Sequence, residues 1–522
     1  MRTCFAIAHN KEIPINTLLN DIPRTAPDRV ALTDESRTIT YGTLQATVRE
    51  EAQWLAATGG QRFGILAANG VGWAIADLAL HDARRVNVPL PGYFSASQLM
   101  HVMADADLDA VVTDQPHAVR SLASGFHVHA VSERTGLTLL RKSGRDNRPA
   151  PLPDGTVKVT YTSGSTAEPK GVCLSAAAIE QVARSLADAV APLHVMSHLC
   201  LMPLPTLLEN VAGVYASLLS GATCVVPSAR TTGMSYGQLN ASLLLRSINE
   251  ANCESLILVP ELLTLLVASA ESGWRITAPL KFIAVGGATV SPQLLQRAQA
   301  IGLPVYEGYG LTECASVVCL NAPGARRAGS VGRPLPHVRI RRDDDGQLHV
   351  SGALMSGYLG QRNSAPPSEY ATGDLGEIDG DGFVYVRGRL RNLFITSLGR
   401  NVSPEWVERE LTQGAAIRYA IVTGEARPYA VALICPSGPA VTEVAIAAAV
   451  ARANERLPDY ARIGNWARMP EMPSLQNGGL TSNGRLRREE ILKRSGELVD
   501  SLYPASPPLA APLIQSVGEL SL

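Results

Sequence analysis

Over the first two-thirds of the chain, short apolar runs rich in β-branched residues alternate with longer stretches whose apolar positions recur at helical spacing. FGILA (63–67) precedes GWAIADLALHDA (72–83), and ESLILVP (254–260) precedes ELLTLLVASA (261–270). AVVT (110–113), ATCVVP (222–227) and KFIAVGG (281–287) are further runs of the same kind. Strands apolar at every position are buried on both faces, so the alternation predicts an α/β fold with parallel-rich sheets flanked by helices. From Gly329 the pattern shortens. GSVGRPLPHVRIRR, QLHVSG and DGDGFVYVRGR are punctuated by Asp-Gly pairs, which predicts a small β subdomain of hairpins over 328–390, closing a large N-terminal domain of 1–390. Beyond it, amphipathic helices are expected near 404–412 and 441–456, with the strands YAIVTG and YAVALICP between them. That pattern predicts a smaller α+β C-terminal domain over 391–502. The Pro-, Ala- and Ser-rich stretch 503–522 is expected to be a weakly ordered tail.

A length of 522 residues agrees with more than one domain, because a single core rarely extends so far. With 46 basic against 47 acidic residues, nothing in the charge steers the chain to nucleic acid or an anionic membrane. The eight cysteines are scattered without a zinc-type spacing and are expected to be reduced, packed thiols of a cytoplasmic protein. One window, 211–229, carries no charge. It contains Gly213, Ser217, Ser220, Gly221, Thr223 and Pro227, and is read as a helix, a glycine turn and the strand CVV, without stable membrane insertion.

The most informative segment is TYTSGSTAEPKGVCLS (160–175), a hydroxyl- and glycine-rich loop between a predicted strand and a predicted helix. Backbone N–H groups around Gly164 and the hydroxyls of Thr162, Ser163, Ser165 and Thr166 can wrap phosphate oxygens, while Lys170 adds a point charge. It is not a Walker A loop, which needs Gly-Lys-Ser/Thr, whereas here Lys170 precedes Gly171.

With this loop, GGA (286–288), YGLTE (309–313), TGD (372–374) and GRLRN (388–392) in order, the chain resembles the adenylate-forming superfamily of acyl-CoA synthetases, nonribosomal adenylation domains and luciferases. The resemblance runs from ITYGTL (39–44) to NGRLRR (483–488). It implies ATP and Mg²⁺ as cofactors, activation of a carboxylic acid to acyl-AMP with release of pyrophosphate, and transfer to a thiol. The acceptor is CoA or the phosphopantetheine of an acyl carrier protein.

Roles follow by the same resemblance. Gly287 and Ala288 would line the adenine and acyl sites. Tyr309 would stack near adenine beside Gly310, Thr312 would contact the α-phosphate, and Glu313 would hold Mg²⁺, a hard cation suited to carboxylate and phosphate oxygens. Asp374 would accept the ribose hydroxyls with Arg389 as its partner. Arg391 would be the pivot of a mobile C-terminal domain, and Gly399 would leave room for a pantetheine arm. Rotation of that domain would let one site run both half-reactions.

Several positions depart from the family pattern. Arg485 stands where a lysine usually reaches both the carboxylate and the α-phosphate; it keeps the charge but is planar and wider. Three readings follow: an adenylating enzyme adapted to Arg485, an enzyme weak in adenylation but competent with acyl-AMP, and a non-catalytic nucleotide binder. The first is preferred because Lys170, Glu313, Asp374 and Arg389 are all retained. Ala167, Ala176 and Asn392 replace residues common in the family, and Thr206 takes the place of a histidine that usually borders the acyl entrance. The segments VYEGYGLTE (305–313) and NGGLTSNGRLRR (477–488) favour a fatty or aryl acid over an amino acid, with an amide synthetase as a further alternative.

Overall fold

Three of the apolar runs become strands buried along their whole length, Arg62–Leu66, Ala110–Thr113 and Ser255–Leu258, and the strand Val86–Pro89, which the runs did not announce, is buried in the same way. These belong to a computed structural model that describes residues 18–23, 26–144, 150–162, 169–235, 238–288, 290–361, 366–396, 401–481 and 484–503. The chain divides into two units. The larger comprises Met1–Arg391 with Thr481–Arg485, and the smaller Asn392–Leu480 with Leu486–Leu522.

Two large sheets build the larger unit. In the nine-stranded sheet, Val305–Leu311, Phe282–Val285, Ser255–Leu258, Ser197–Leu199, Thr223–Val225 and Val30–Thr33 lie side by side in parallel. Antiparallel strands close both edges, Thr38–Thr40 on one side and Ser316–Leu320 with Arg333–Pro334 on the other. The eight-stranded sheet has a parallel centre of Thr156–Thr162, Val86–Pro89, Arg62–Leu66 and Ala110–Thr113. Antiparallel hairpins flank that centre. Parallel pairing needs crossovers that return over the sheet faces, which is why helices such as Val71–Asp82 and Ala176–Val190 cover the strands. Ser175 starts the second of these by accepting the Ala178 N–H at 3.2 Å.

The β subdomain is a four-stranded antiparallel meander of Val338–Arg342, Gln347–Gly352, Tyr370–Ile378 and Val384–Arg389. Its Asp-Gly turns place Gly346 and Gly382 at φ of 86° and 82°, a region that a side chain disfavours. In the smaller unit, Ile417–Thr423, Ala430–Pro436 and Ile463–Arg468 form a three-stranded sheet, against which Pro404–Leu411 and Glu443–Arg456 bury Val407, Leu411, Ile446 and Val450. The third strand and the helices Arg488–Arg494 and Gly496–Ser501 carry too weak a period to be predicted.

The uncharged window differs in detail from its prediction. It opens as a π-helix, Leu208–Tyr215, which continues as the short helix Ala216–Leu219 before the strand Thr223–Val225. The wide turn accommodates a buried carboxylate: Glu209 Oε1 lies 2.8 Å from His198 Nε2, and Oε2 accepts the Met202 N–H at 2.8 Å. A Cβ at Gly213 would sit 2.1 Å from Glu209 Oε1, so only glycine fits opposite it. Among the described residues no helix is long and apolar enough to cross a membrane, and the seven described cysteines are free and buried.

Candidate active site

Strand register brings the first site residues together. Asp374 and Arg389 face each other across the antiparallel pair Tyr370–Ile378 and Val384–Arg389, and Arg389 Nε reaches Asp374 Oδ1 at 2.6 Å. The other carboxylate oxygen, Oδ2, accepts the Tyr309 hydroxyl at 2.5 Å. The Asp374 N–H donates to Thr372 Oγ1 at 3.0 Å, and the Thr372 hydroxyl donates to the Leu348 carbonyl at 2.7 Å. Asp374 is therefore oriented by backbone, hydroxyl and cation at once. Burial, then the adjacent Asp374 charge, push the Tyr309 phenol well above its ordinary range, so it stays a hydrogen-bond donor.

Tyr309 lies near the end of the strand Val305–Leu311, which turns through a single 3₁₀ turn, Thr312–Cys314, into Ser316–Leu320. Ala315 and Ser316 adopt φ of 56° and 129°, conformations that cost roughly 1–3 kcal/mol each and persist where surrounding contacts impose them. Those contacts are visible. The Glu313 carbonyl accepts the Met355 N–H at 2.7 Å, and the Ser316 hydroxyl donates to the Leu207 carbonyl at 3.3 Å. Gly310 permits the tight return, since a Cβ there would lie 2.0 Å from the Ser316 carbonyl oxygen. Glu313 Oε1 accepts the Tyr358 hydroxyl at 3.2 Å, and Tyr358 lies 3.4 Å from the Tyr370 hydroxyl. A carboxylate fixed on one side by a hydroxyl donor suits a hard divalent cation on the other.

Gly287 and Ala288 are exposed just past the strand Phe282–Val285. Gly286, buried before them, would bring a Cβ to 3.2 Å from the Gly308 carbonyl oxygen. Lys170 is exposed at the start of the strand Lys170–Ser175, and its register partner Thr162 ends the neighbouring strand, so the two flank residues 163–168. Ser163, Gly164, Ser165, Thr166 and Gly399 lie outside the described residues. Arg391 sits in the short turn Leu390–Asn392 and is the last residue of the first continuous segment of the larger unit.

Arg485 belongs to the Thr481–Arg485 segment that groups with the larger unit. Its surface stays exposed, yet desolvation and the neighbouring Arg389 both lower its pKa, while Glu261 and Asp374 raise it. Gly484 lies alongside Glu261, whose carboxyl carbon would be 3.8 Å from a Cβ there. Tyr309, Asp374, Arg389 and Arg485 thus form one electrostatic group. Glu313 forms a second with Tyr358 and Tyr370; the described contacts do not join Lys170, Gly287 or Ala288 to either. Sequence reasoning missed Tyr358, Tyr370 and Glu261. Only the aromatic pair left any trace, as tyrosines in a Gly- and Ser-rich stretch (356–370).

The fold is that of adenylate-forming enzymes. The crystal structure of the anthranilate CoA ligase AuaEII in complex with anthranoyl-AMP superposes with a TM-score of 0.76 at 17% identity, covering 93% of this chain and 97% of that one. The Bacillus subtilis O-succinylbenzoate coenzyme A synthetase in complex with ATP and magnesium ion gives 0.72 at 23% identity, covering 91% and 99%. The chain belongs to the AMP-binding enzyme family: residues 19–359 match the AMP-binding enzyme domain, and 392–506 match the AMP-binding enzyme C-terminal domain.

Among curated relatives, the long-chain-fatty-acid–CoA ligase FadD15 of Mycobacterium bovis is 30% identical over 248 residues, 42% of this chain and 41% of that relative. That match spans less than half the relative's length. The feruloyl-CoA synthase of an Amycolatopsis species is 27% identical over 443 residues, 78% of this chain and 84% of that relative. The 2-succinylbenzoate–CoA ligase of Bacillus subtilis is 27% identical over 420 residues, 76% and 82%.

Proposed function

We propose that this protein is an acid–thiol ligase that activates a fatty or aryl carboxylic acid with ATP, releasing pyrophosphate, and transfers the acyl group to CoA. The observation that carries the reading is the Tyr309–Asp374–Arg389 group, an acceptor-only carboxylate held at both oxygens where a nucleotide's ribose hydroxyls would be received. In this reading Asp374 binds the ribose, and Thr312 and Lys170 orient the phosphates with the loop that includes Thr162, Ser163, Gly164, Ser165 and Thr166. Gly287, Ala288 and Gly310 admit the adenine and acyl groups. Glu313 would hold Mg²⁺, which supplies charge neutralisation on the phosphates.

The substrate carboxylate attacks an α-phosphate that is itself negative, so alignment and neutralisation replace acid–base chemistry. Arg485 supplies the cation that spans the attacking carboxylate and the α-phosphate. Its lowered pKa leaves it charged, because an arginine titrates far above physiological pH. Arg391 acts as the pivot between the two half-reactions, and Gly399 gives the pantetheine arm its path. Relatives that act on aromatic and on long-chain acids support an acyl acid as substrate.

Pyrophosphate release measured across a panel of fatty and aryl acids tests the activity; silence across the whole panel defeats it. Arg485→Ala is expected to lower acid-dependent pyrophosphate release by about 10²–10³-fold while sparing conversion of supplied acyl-AMP. Unchanged adenylation would remove Arg485 from the mechanism. Mass spectrometry with CoA, a carrier protein bearing phosphopantetheine, and amines identifies the acceptor.

A further inference from the structure

The turn that presents Arg485 stands on a stem anchored in the smaller unit. Within the turn, the Thr481 N–H donates to the Arg485 carbonyl at 2.6 Å and the Gly484 N–H to the Thr481 carbonyl at 2.8 Å. Below it, Leu480 and Leu486 pair as an antiparallel bridge, and the Arg487 N–H donates to the Gly479 carbonyl at 2.9 Å.

The next residue, Arg488, donates from one guanidinium nitrogen to the Val422 carbonyl at 2.8 Å and pairs through another with Glu408. Glu408 Oε1 in turn accepts the Val422 N–H at 2.7 Å. Val422 lies on Ile417–Thr423, the edge strand of its sheet, so both of its outward backbone groups are satisfied by side chains that also bond each other. The planar guanidinium reaches the carbonyl and the carboxylate through separate nitrogens in fixed directions, so it links the two more rigidly than a single point charge would. The two side chains are mostly buried, at 19% and 14% exposure, so the link is shielded from the solvent that weakens surface pairs.

We propose that Arg488 and Glu408 are positioning residues for the adenylation step, clamping the stem of the Arg485 turn to Val422 so that Arg485 is presented in one geometry. This rests on the role of Arg485 proposed above. Neither residue touches a reacting atom. Their loss acts through the placement of Arg485, and a misplacement of about 1 Å costs as much as a hundredfold in rate.

The test uses full-length Arg488→Met, Glu408→Gln and the double variant. Acid-dependent pyrophosphate release is measured with the preferred acid, thioester formation is measured separately from supplied acyl-AMP and CoA, and each variant is melted. Expected is a fall in kcat for pyrophosphate release of roughly 10- to 100-fold with KM for ATP unchanged. Conversion of acyl-AMP should be retained, and the double variant should be no worse than Arg488→Met alone. The proposal is overturned if both single variants keep full adenylation while Arg485→Ala loses it. It is equally overturned if both half-reactions fall together with the melting temperature, because that pattern belongs to a structural pair. Full adenylation by Arg485→Ala instead removes the proposed role of Arg485 and the clamp's purpose with it, a failure identified by that variant alone.

Discussion

Asp77 and Asp374 are both buried carboxylates that face a cation and accept a tyrosine hydroxyl, yet their surroundings differ in one respect. Asp77 is closed in. Lys158 Nζ and Asn87 Nδ2 reach one of its oxygens at 2.7 and 2.5 Å, and Asn210 Nδ2 and the Tyr215 hydroxyl reach the other at 2.7 Å each. Lys158 also donates to Asn210 Oδ1 at 2.5 Å and lies 5.3 Å from the centre of the Tyr215 ring. Every member of that set is buried. Asp374 has Tyr309 and Arg389, but the Arg389 side chain remains 40% exposed and Arg485 lies nearby with an open surface. A buried charge whose partners are all buried has nothing left to offer a ligand. One whose cation reaches solvent keeps a polar partner that a ligand could also meet.

Lys158→Met leaves Asp77 buried without its cation and is expected to destabilise the larger unit by about 3–5 kcal/mol, read by urea denaturation. A loss under about 1 kcal/mol would show that the set is not closed, since water would then be reaching the carboxylate.

His337 is an intermediate case. Its Nε2 lies 3.0 Å from the Val317 carbonyl oxygen, while Nδ1 is buried without a hydrogen-bond partner among the described residues. Burial lowers its pKa to about 4, only partly opposed by that hydrogen bond. A folded pKa below the unfolded value of about 6.5 contributes stability that is complete above pH ~6.5 and lost as pH falls through about 4. The loss should approach roughly 3 kcal/mol, and His337→Phe should flatten that acid limb in denaturation curves recorded across the same interval. An unchanged limb would assign the acid sensitivity to other groups.

At Asp374 the expected effect is smaller. Tyr309→Phe removes one hydrogen bond to a carboxylate and should cost about 1.5–2 kcal/mol in stability, with weaker binding of AMP by calorimetry. A stability loss with AMP affinity unchanged would separate the Tyr309 hydroxyl from the nucleotide site.

Legibility followed the range of the interaction. The run FGILA could be read as a doubly buried strand because no residue in it carries a polar side chain, and GWAIADLALHDA as a helix because its pattern is local. Asp77 sits inside that helix and gave no sign of its role. Its cation is Lys158, 81 residues away, and neither residue is unusual in its own segment. The π-helix was hidden for the same reason: the carboxylate of Glu209 and the ring of His198 meet only when the strand Ser197–Leu199 is in place. Arg488 closes the motif NGRLRR, but its grip on Val422 and Glu408 depends on folding of the smaller unit. Asp374 and Arg389 were legible because the family resemblance names them as a pair, and the register then set them opposite each other.

By itself the sequence determined the α/β class, the β subdomain, the smaller α+β unit and the order of the nucleotide motifs, all consequences of local period, turn chemistry and contiguous residues. Only the tertiary structure decided which buried carboxylate is closed by its own network and which keeps partners in reach of solvent. It also decided that Tyr358 meets Glu313 and that an edge strand holds Arg488. Burial and pairing over long separations are properties of the packed chain, and no window of sequence contains both partners.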